Sequence, residues 1–128
     1  MPGVVYDTGA LLAAERGDPN LWALHRRTLR STAVQPIVPV VVLAQAWRGG
    51  PQAQMSRLLR GCHVQPDTTM IGKAAGAACA AARSRDVVDA IVVVTAVALG
   101  DALVVTSDVG DLTRLADALQ VKLDLFPV

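Results

Sequence analysis

Aromatic side chains are almost missing from this chain: two Trp, one Tyr and one Phe make up 3% of its 128 residues. A core must therefore be assembled from Val, Leu and Ala, and a hydrophobic fraction of 52% supplies enough of them. Helices packed on a parallel sheet suit that composition. Charge of one sign is missing too. A net charge of +1 excludes a global basic field, so nucleic-acid binding would need a local patch. No run of about 18 apolar residues occurs, which argues against a membrane span. No charged segment followed by an apolar stretch and a cleavage site opens the chain, and a cytoplasmic location is expected. Cys62 and Cys79 lack metal-ligand spacing and fall in an expected strand and helix, so reduced, buried thiols are the plainer reading. No linker or repeat divides the chain, and one domain is expected.

What is present is a regular alternation of short apolar runs and helical periodicity. Strands are expected at Val4 to Tyr6, Gln35 to Val38, Cys62 to Gln65, Ala102 to Thr106 and Lys122 to Phe126. Helices are expected at Thr8 to Arg16, Asn20 to Arg30, Pro39 to Trp47, Gln52 to Arg60, Thr68 to Arg83, Asp86 to Leu99 and Asp111 to Leu119. In the second of these, Leu21, Leu24 and Leu29 fall on one side and Arg26, Arg27 and Arg30 largely on another. "DVVDAIVVVTAVALG" is rich in β-branched residues that favour strands. Its length and apolar continuity point instead to a buried helix, closed by Gly100. The alternation predicts an α/β fold of three layers, with a mostly parallel sheet flanked by helices.

Acidic residues sit where these elements meet. Asp7 ends the first strand and Asp108 follows the fourth, with Asp111 three residues on. Asp86 and Asp89 open the apolar helix, one turn apart. Each has a plain structural reading as a helix cap or as a first-turn partner of the helix dipole. Together they suggest a cluster at one end of the sheet, where mutual repulsion calls for a divalent cation. Oxygen-only ligands suit Mg²⁺ or Mn²⁺, and no His/Cys set favours zinc.

"VVYDTGALLA", "VPVVVLAQAWR", "DVVDAIVVVTA" and "ALVVTSDVGDL" occur in the order found in PIN domains, and the chain resembles the VapC-type toxins of bacterial toxin–antitoxin pairs over nearly its whole length. The resemblance implies an Mg²⁺-dependent endoribonuclease, a cognate antitoxin and a homodimer. Asp7, Asp89 and Asp108 match the family's acidic metal-binding positions, with Asp86 and Asp111 as further catalytic candidates. One position departs: where the family has Glu in the helix after the second strand, this chain has Gln45. A carboxamide can offer its carbonyl or hold a water but brings no negative charge. Either Asp86 supplies the missing carboxylate, or the chain is a weakened nuclease that mainly binds its antitoxin or RNA.

Around this set, Thr106 and Ser107 are candidates for orienting Asp108 or a metal-bound water. Arg48, Arg83 and Arg85 are the cations best placed to meet RNA at an acidic mouth. Arg26, Arg27 and Arg30 form a helical patch for which a solvated face is at least as good a reading. Leu21, Trp22, Leu24, Trp47 and Leu58 could line a groove for an amphipathic antitoxin segment or could simply be core. Two phosphate chemistries are disfavoured. A haloacid-dehalogenase phosphatase would need Asp-x-Asp where the chain has "DTG", and a phosphoacceptor domain would need an acidic pair there.

Overall fold

The computed structural model describes residues 3–31, 34–100 and 102–128. Five strands form one all-parallel sheet in the order β3-β2-β1-β4-β5: β1 (Val4–Tyr6), β2 (Ile37–Pro39), β3 (His63–Gln65), β4 (Leu103–Thr106) and β5 (Asp124–Pro127). Seven helices connect them: α1 (Thr8–Glu15), α2 (Pro19–Ser31), α3 (Val40–Ala46), α4 (Ala53–Arg60), α5 (Thr69–Ala82), α6 (Val87–Ala98) and α7 (Val109–Ala118). The chain leaves β1 toward β2 and β3, then crosses back to β4 on the other side. Right-handed crossovers therefore put α1–α4 on one face and α5–α7 on the other. The packing agrees, with α1 against α2, α3 and α4, and α5, α6 and α7 against one another. This is the three-layer α/β architecture that the alternation implied.

β1 is three buried residues wide and pairs on both edges, Val5 with Ile37 and Val104. A strand enclosed in this way needs a continuous apolar run, and "VVY" supplies one. Tyr6 is fully buried, and its hydroxyl lies 2.7 Å from His25 Nδ1. Burial pushes the tyrosine hydroxyl up and, with Arg57 and Arg26 nearby, pushes His25 down. Trp22 closes this small polar core by donating from Nε1 to the Ala14 carbonyl at 3.1 Å, while the Arg57 guanidinium lies 4.5 Å over its ring.

α6 is the helix its length suggested. Its β-branched residues are tolerated because Ala90, Ile91, Val92, Val93 and Ala96 are buried against β1, β2, β4 and the neighbouring helices. Tertiary burial outweighs the few tenths of a kcal/mol that Val loses to Ala in helix propensity, roughly 0.5 kcal/mol per residue.

Several boundaries differ from expectation. β2 runs to Pro39, so that proline precedes α3 as its N-cap instead of occupying its first turn. α2 begins at Pro19 because the Asp18 carboxylate accepts from the amides of Asn20 and Leu21. α7 starts at Val109, two residues before Asp111. β5 begins at Asp124, two residues later than its apolar pattern suggested, and Cys62 lies just before β3. Leu29 is 44% exposed, and the buried face of α2 is completed by Trp22, His25 and Thr28.

Among the described residues no helix is long and apolar enough to cross a membrane, and both cysteines are free. Leu21, Trp22, Leu24 and Leu58 are buried core residues. Trp47 of that group borders an open apolar groove of about 370 Å³, together with Val40, Leu43, Ala44 and Leu59.

Candidate metal centre

In a doubly wound sheet the crevice for ligands opens beyond the carboxyl ends of the strands where the order reverses. Here that point lies between β1 and β4, whose last residues are Tyr6 and Thr106. Asp7 follows β1 and is 3% exposed. Its Oδ1 accepts from the Thr8 amide at 2.7 Å, capping α1, and its Oδ2 accepts from the Thr106 hydroxyl at 2.8 Å. The same hydroxyl oxygen accepts from the Asp108 amide at 2.8 Å. Thr106 thus ties Asp7 to the backbone of Asp108, its one O–H being used on the Asp7 carboxylate. Ser107 does something else again.

A Cβ built on Gly9 would lie 2.2 Å from Ser107 Oγ and 2.7 Å from the Ser107 backbone nitrogen. Only glycine lets the first turn of α1 sit this close to the turn after β4. That close approach keeps Asp7 beside Thr106. Gly9 and Thr8 were not singled out by sequence reasoning. A glycine inside a helix start with no break around it is the signal that could have found the first.

The other acids arrive on α6 and α7. Asp86 caps α6, its Oδ1 accepting from the Asp89 amide at 3.0 Å. Asp86, Asp89 and Asp108 each offer a carboxylate oxygen, and these oxygens lie within 4.8 Å of one another. Asp86 is exposed, Asp108 half-buried and Asp89 5% exposed. Asp89 Oδ2 is buried with no hydrogen-bond partner. Burial is the main reason its carboxyl is pushed up to about 8, followed by repulsion from Asp7 and Asp86 and by the closeness of the Asp108 carboxylate. Asp7 is also raised, chiefly by burial and against its two hydrogen bonds, and it feels both Asp108 and Asp86.

The four acids therefore converge, but the tight set differs from the expected one. Sequence reasoning put Asp7, Asp89 and Asp108 on the ion, whereas the set with closely spaced oxygens is Asp86, Asp89 and Asp108. Asp7 stands beside it, with both oxygens already accepting hydrogen bonds. Asp111 stays outside the set and pairs at 3.4 Å with Arg114 on the exposed side of α7.

Gln45 is exposed on α3, and its Oε1 accepts from the Thr8 hydroxyl at 2.5 Å. The carbonyl offered as an ion ligand is turned toward α1, one residue from Asp7. Arg48 folds back on its own helix, donating to the carbonyls of Gln45 and Trp47 at 2.6 and 2.9 Å. That is a helix C-terminus cap. Arg83 and Arg85 are exposed in the turn between α5 and α6, next to Asp86. Glu15, the only glutamate, is used far from the acids: it accepts from the Met55 amide at 2.6 Å in the first turn of α4.

These donors fit a hard divalent cation. They are all oxygens, one is a buried and unpartnered carboxylate atom, and no cationic side chain hydrogen-bonds or ion-pairs with any of the three among the described residues. No protein-family model and no curated relative matches the chain.

Proposed function

We propose that the chain is a metal-dependent endoribonuclease of the PIN class, the toxin of a toxin–antitoxin pair acting in the cytoplasm. The observation that carries this reading is the unpartnered Asp89 Oδ2, buried within 4.8 Å-spaced carboxylates at the switch point of the sheet. An isolated buried carboxylate is costly, and a cation is the partner its neighbours cannot provide. Asp86, Asp89 and Asp108 would hold Mg²⁺, or Mn²⁺ in its place. The ion supplies Lewis acidity and a bound water of lowered pKa.

The protein's own residues do the rest. Asp89, whose carboxyl is raised by burial, would release its proton to solvent when the ion binds. Asp7, fixed by Thr8 and Thr106, accepts a hydrogen bond from an attacking water and aligns it with the scissile phosphate. Asp86 brings the charge that Gln45 lacks, while Gln45 steadies Thr8 at the start of α1. Arg83 and Arg85 face the incoming phosphates from the α5–α6 turn. The apolar groove beside Trp47 and Leu59 is the place where an antitoxin segment would dock, and a second copy of the chain would complete a homodimer.

The second reading, a PIN-like module that binds without cutting, draws on one observation: Gln45 faces Thr8 and leaves the cluster one carboxylate short. A cleavage assay on structured RNA with Mg²⁺ or EDTA decides between them. Ion-dependent product that vanishes in Asp89→Asn supports the nuclease, and no product under any ion supports the binder. A double-mutant cycle then assigns Asp86. Its loss as a cap costs roughly 0.5–2 kcal/mol, so folded but inactive Asp86→Ala, partly rescued by Gln45→Glu, means that the two positions share the ion. Strict additivity means that they do not.

A further inference from the structure

Charge in this chain is segregated. Residues 16–63 hold seven of the twelve cationic side chains and one of the eleven acidic ones. All seven are exposed, and five of them lie on two helices: Arg26, Arg27 and Arg30 on α2 and Arg57 and Arg60 on α4. The two helices touch. Arg57 lies over Trp22, and Gly61, which ends α4, is close enough to His25 and Leu29 that an added Cβ would meet them at 3.1 and 3.2 Å. Arg26 and Arg57 both act on His25. α2 leads into β2 and α4 into β3, and the His63 amide donates to the Pro36 carbonyl at 2.8 Å, joining the two strand entries. The arginines therefore gather toward the amino ends of β2 and β3, at the opposite end of the sheet from the acids. The one ion pair among the described residues is Arg114–Asp111, and none of the five arginines is ion-paired there.

Capping the helix dipole accounts for Arg30, Arg57 and Arg60 in the last turns of their helices. It does not account for five exposed arginines on two touching helices, none of them ion-paired among the described residues. We propose that this α2/α4 face is a binding site for the phosphate backbone of single-stranded or unpaired RNA, remote from the acidic centre. The proposal rests on the nuclease reading for its biological sense, though not for its test. An acidic mouth repels RNA, so affinity has to come from elsewhere on the molecule, and remote contacts that hold a substrate in place serve the reacting centre. Arginine suits this better than lysine. Its planar fork takes two phosphate oxygens at once and stacks on bases, as Arg57 already stacks on an indole.

The probe is a fluorescein-labelled 20-nucleotide oligouridylate, with anisotropy read in EDTA over a range of salt. Arg26→Gln/Arg30→Gln/Arg60→Gln should weaken binding at least tenfold at low salt. It should also lower the slope of log Kd against log salt by about 2, from roughly 0.7 per lost phosphate contact. Lys73→Gln/Arg114→Gln/Lys122→Gln, with the same change in net charge, should weaken binding less than threefold. Thermal melts confirm that both triples fold, and the single variant Arg27→Glu tests the face again should the first triple melt early. Equal weakening by both triples, or none by the first, overturns the proposal. So does polyglutamate binding more tightly than the RNA through the same arginines, which would give the face to an acidic protein. Because EDTA removes any cleavage, arginine-dependent binding with no Mg²⁺-dependent cutting would sink the nuclease and leave this site standing. Cutting without such binding would do the reverse.

Discussion

Asp7 and Asp89 are both buried carboxylates at the same crevice, yet the protein treats them in opposite ways. Around Asp7 the chain has built a hydrogen-bonded setting, with the Thr8 amide on one oxygen and the Thr106 hydroxyl on the other. Around Asp89 it has built the reverse: a buried oxygen with no partner, other acids close by, and a proton held to about pH 8. The first acid belongs to the structure as it stands. The second is left unsatisfied, which is the property the proposed cation site requires.

The sharpest way to break this contrast is to neutralise each acid in turn. Asp89→Asn and Asp7→Asn should both cut Mg²⁺-dependent RNA cleavage by about 10³-fold or more, since an ion or its aligned water is worth several kcal/mol. Their stabilities should part. In EDTA at pH 9, where Asp89 is ionised, Asp89→Asn relieves repulsion and the burial of a charge, and a gain of about 1 kcal/mol raises Tm by roughly 3–5 °C. Asp7→Asn turns an amide donor toward a Thr106 hydroxyl that already accepts from Asp108, and it should melt lower by a similar amount. Matching shifts of Tm would show that the two environments do not differ.

Acidity separates the two acids without mutation. Unfolded Asp titrates near 3.9, so the metal-free fold, in which Asp89 is raised to about 8, binds the extra proton between those values. Its contribution to stability is full below about pH 4 and is lost as pH rises through about 8. Mg²⁺ affinity runs the other way, because the ion must displace that proton. Calorimetry in buffers of different ionisation heat should show close to one proton released per ion at pH 7, and affinity rising about tenfold per unit up to pH 8. Affinity flat from pH 6 to 9 would place the ion away from Asp89.

A smaller effect tests the scaffold under Asp7. Gly9→Ala puts a methyl against the Ser107 backbone, which should cost about 1–3 kcal/mol and loosen the Asp7–Thr106 contact. Gly72→Ala is the control, an exposed position in α5 where an added Cβ meets nothing within 4 Å. It should stabilise the protein by about 0.5–1 kcal/mol. Urea melts of the two variants report the difference, and a neutral Gly9→Ala would mean that α1 can shift without consequence.

The elements of the sheet and the convergence of the acids were legible from the sequence because both follow from local rules. Apolar runs of three or four residues mark enclosed strands, and an Asp between a strand and a helix marks the carboxyl end of the sheet. What could not be read is who touches whom. "DTG" does not say that its Thr reaches Gln45 on α3 or that its Gly presses on Ser107, 98 residues away. The spacing of Asp86 and Asp89 offered Asp86 as an extra carboxylate but did not say that it belongs to the tight set and Asp7 does not. Glu15 makes the same point. Its isolation in the sequence suggested nothing, and its partner, the amide of Met55, is set by how α1 packs on α4.

The press of Gly9 on Ser107 has a mechanical meaning as well. With the Asp7 amide bonded to the Val105 carbonyl, the Val128 amide to Thr106, and no room between α1 and the turn after β4, that side of the crevice moves as one block. α6 is anchored by its buried middle, while its first turn ends in an exposed Asp86 and an exposed Val87. A cation entering the crevice would therefore meet one stiff jaw and one compliant one, and the adjustment to its radius would be made by the opening turn of α6.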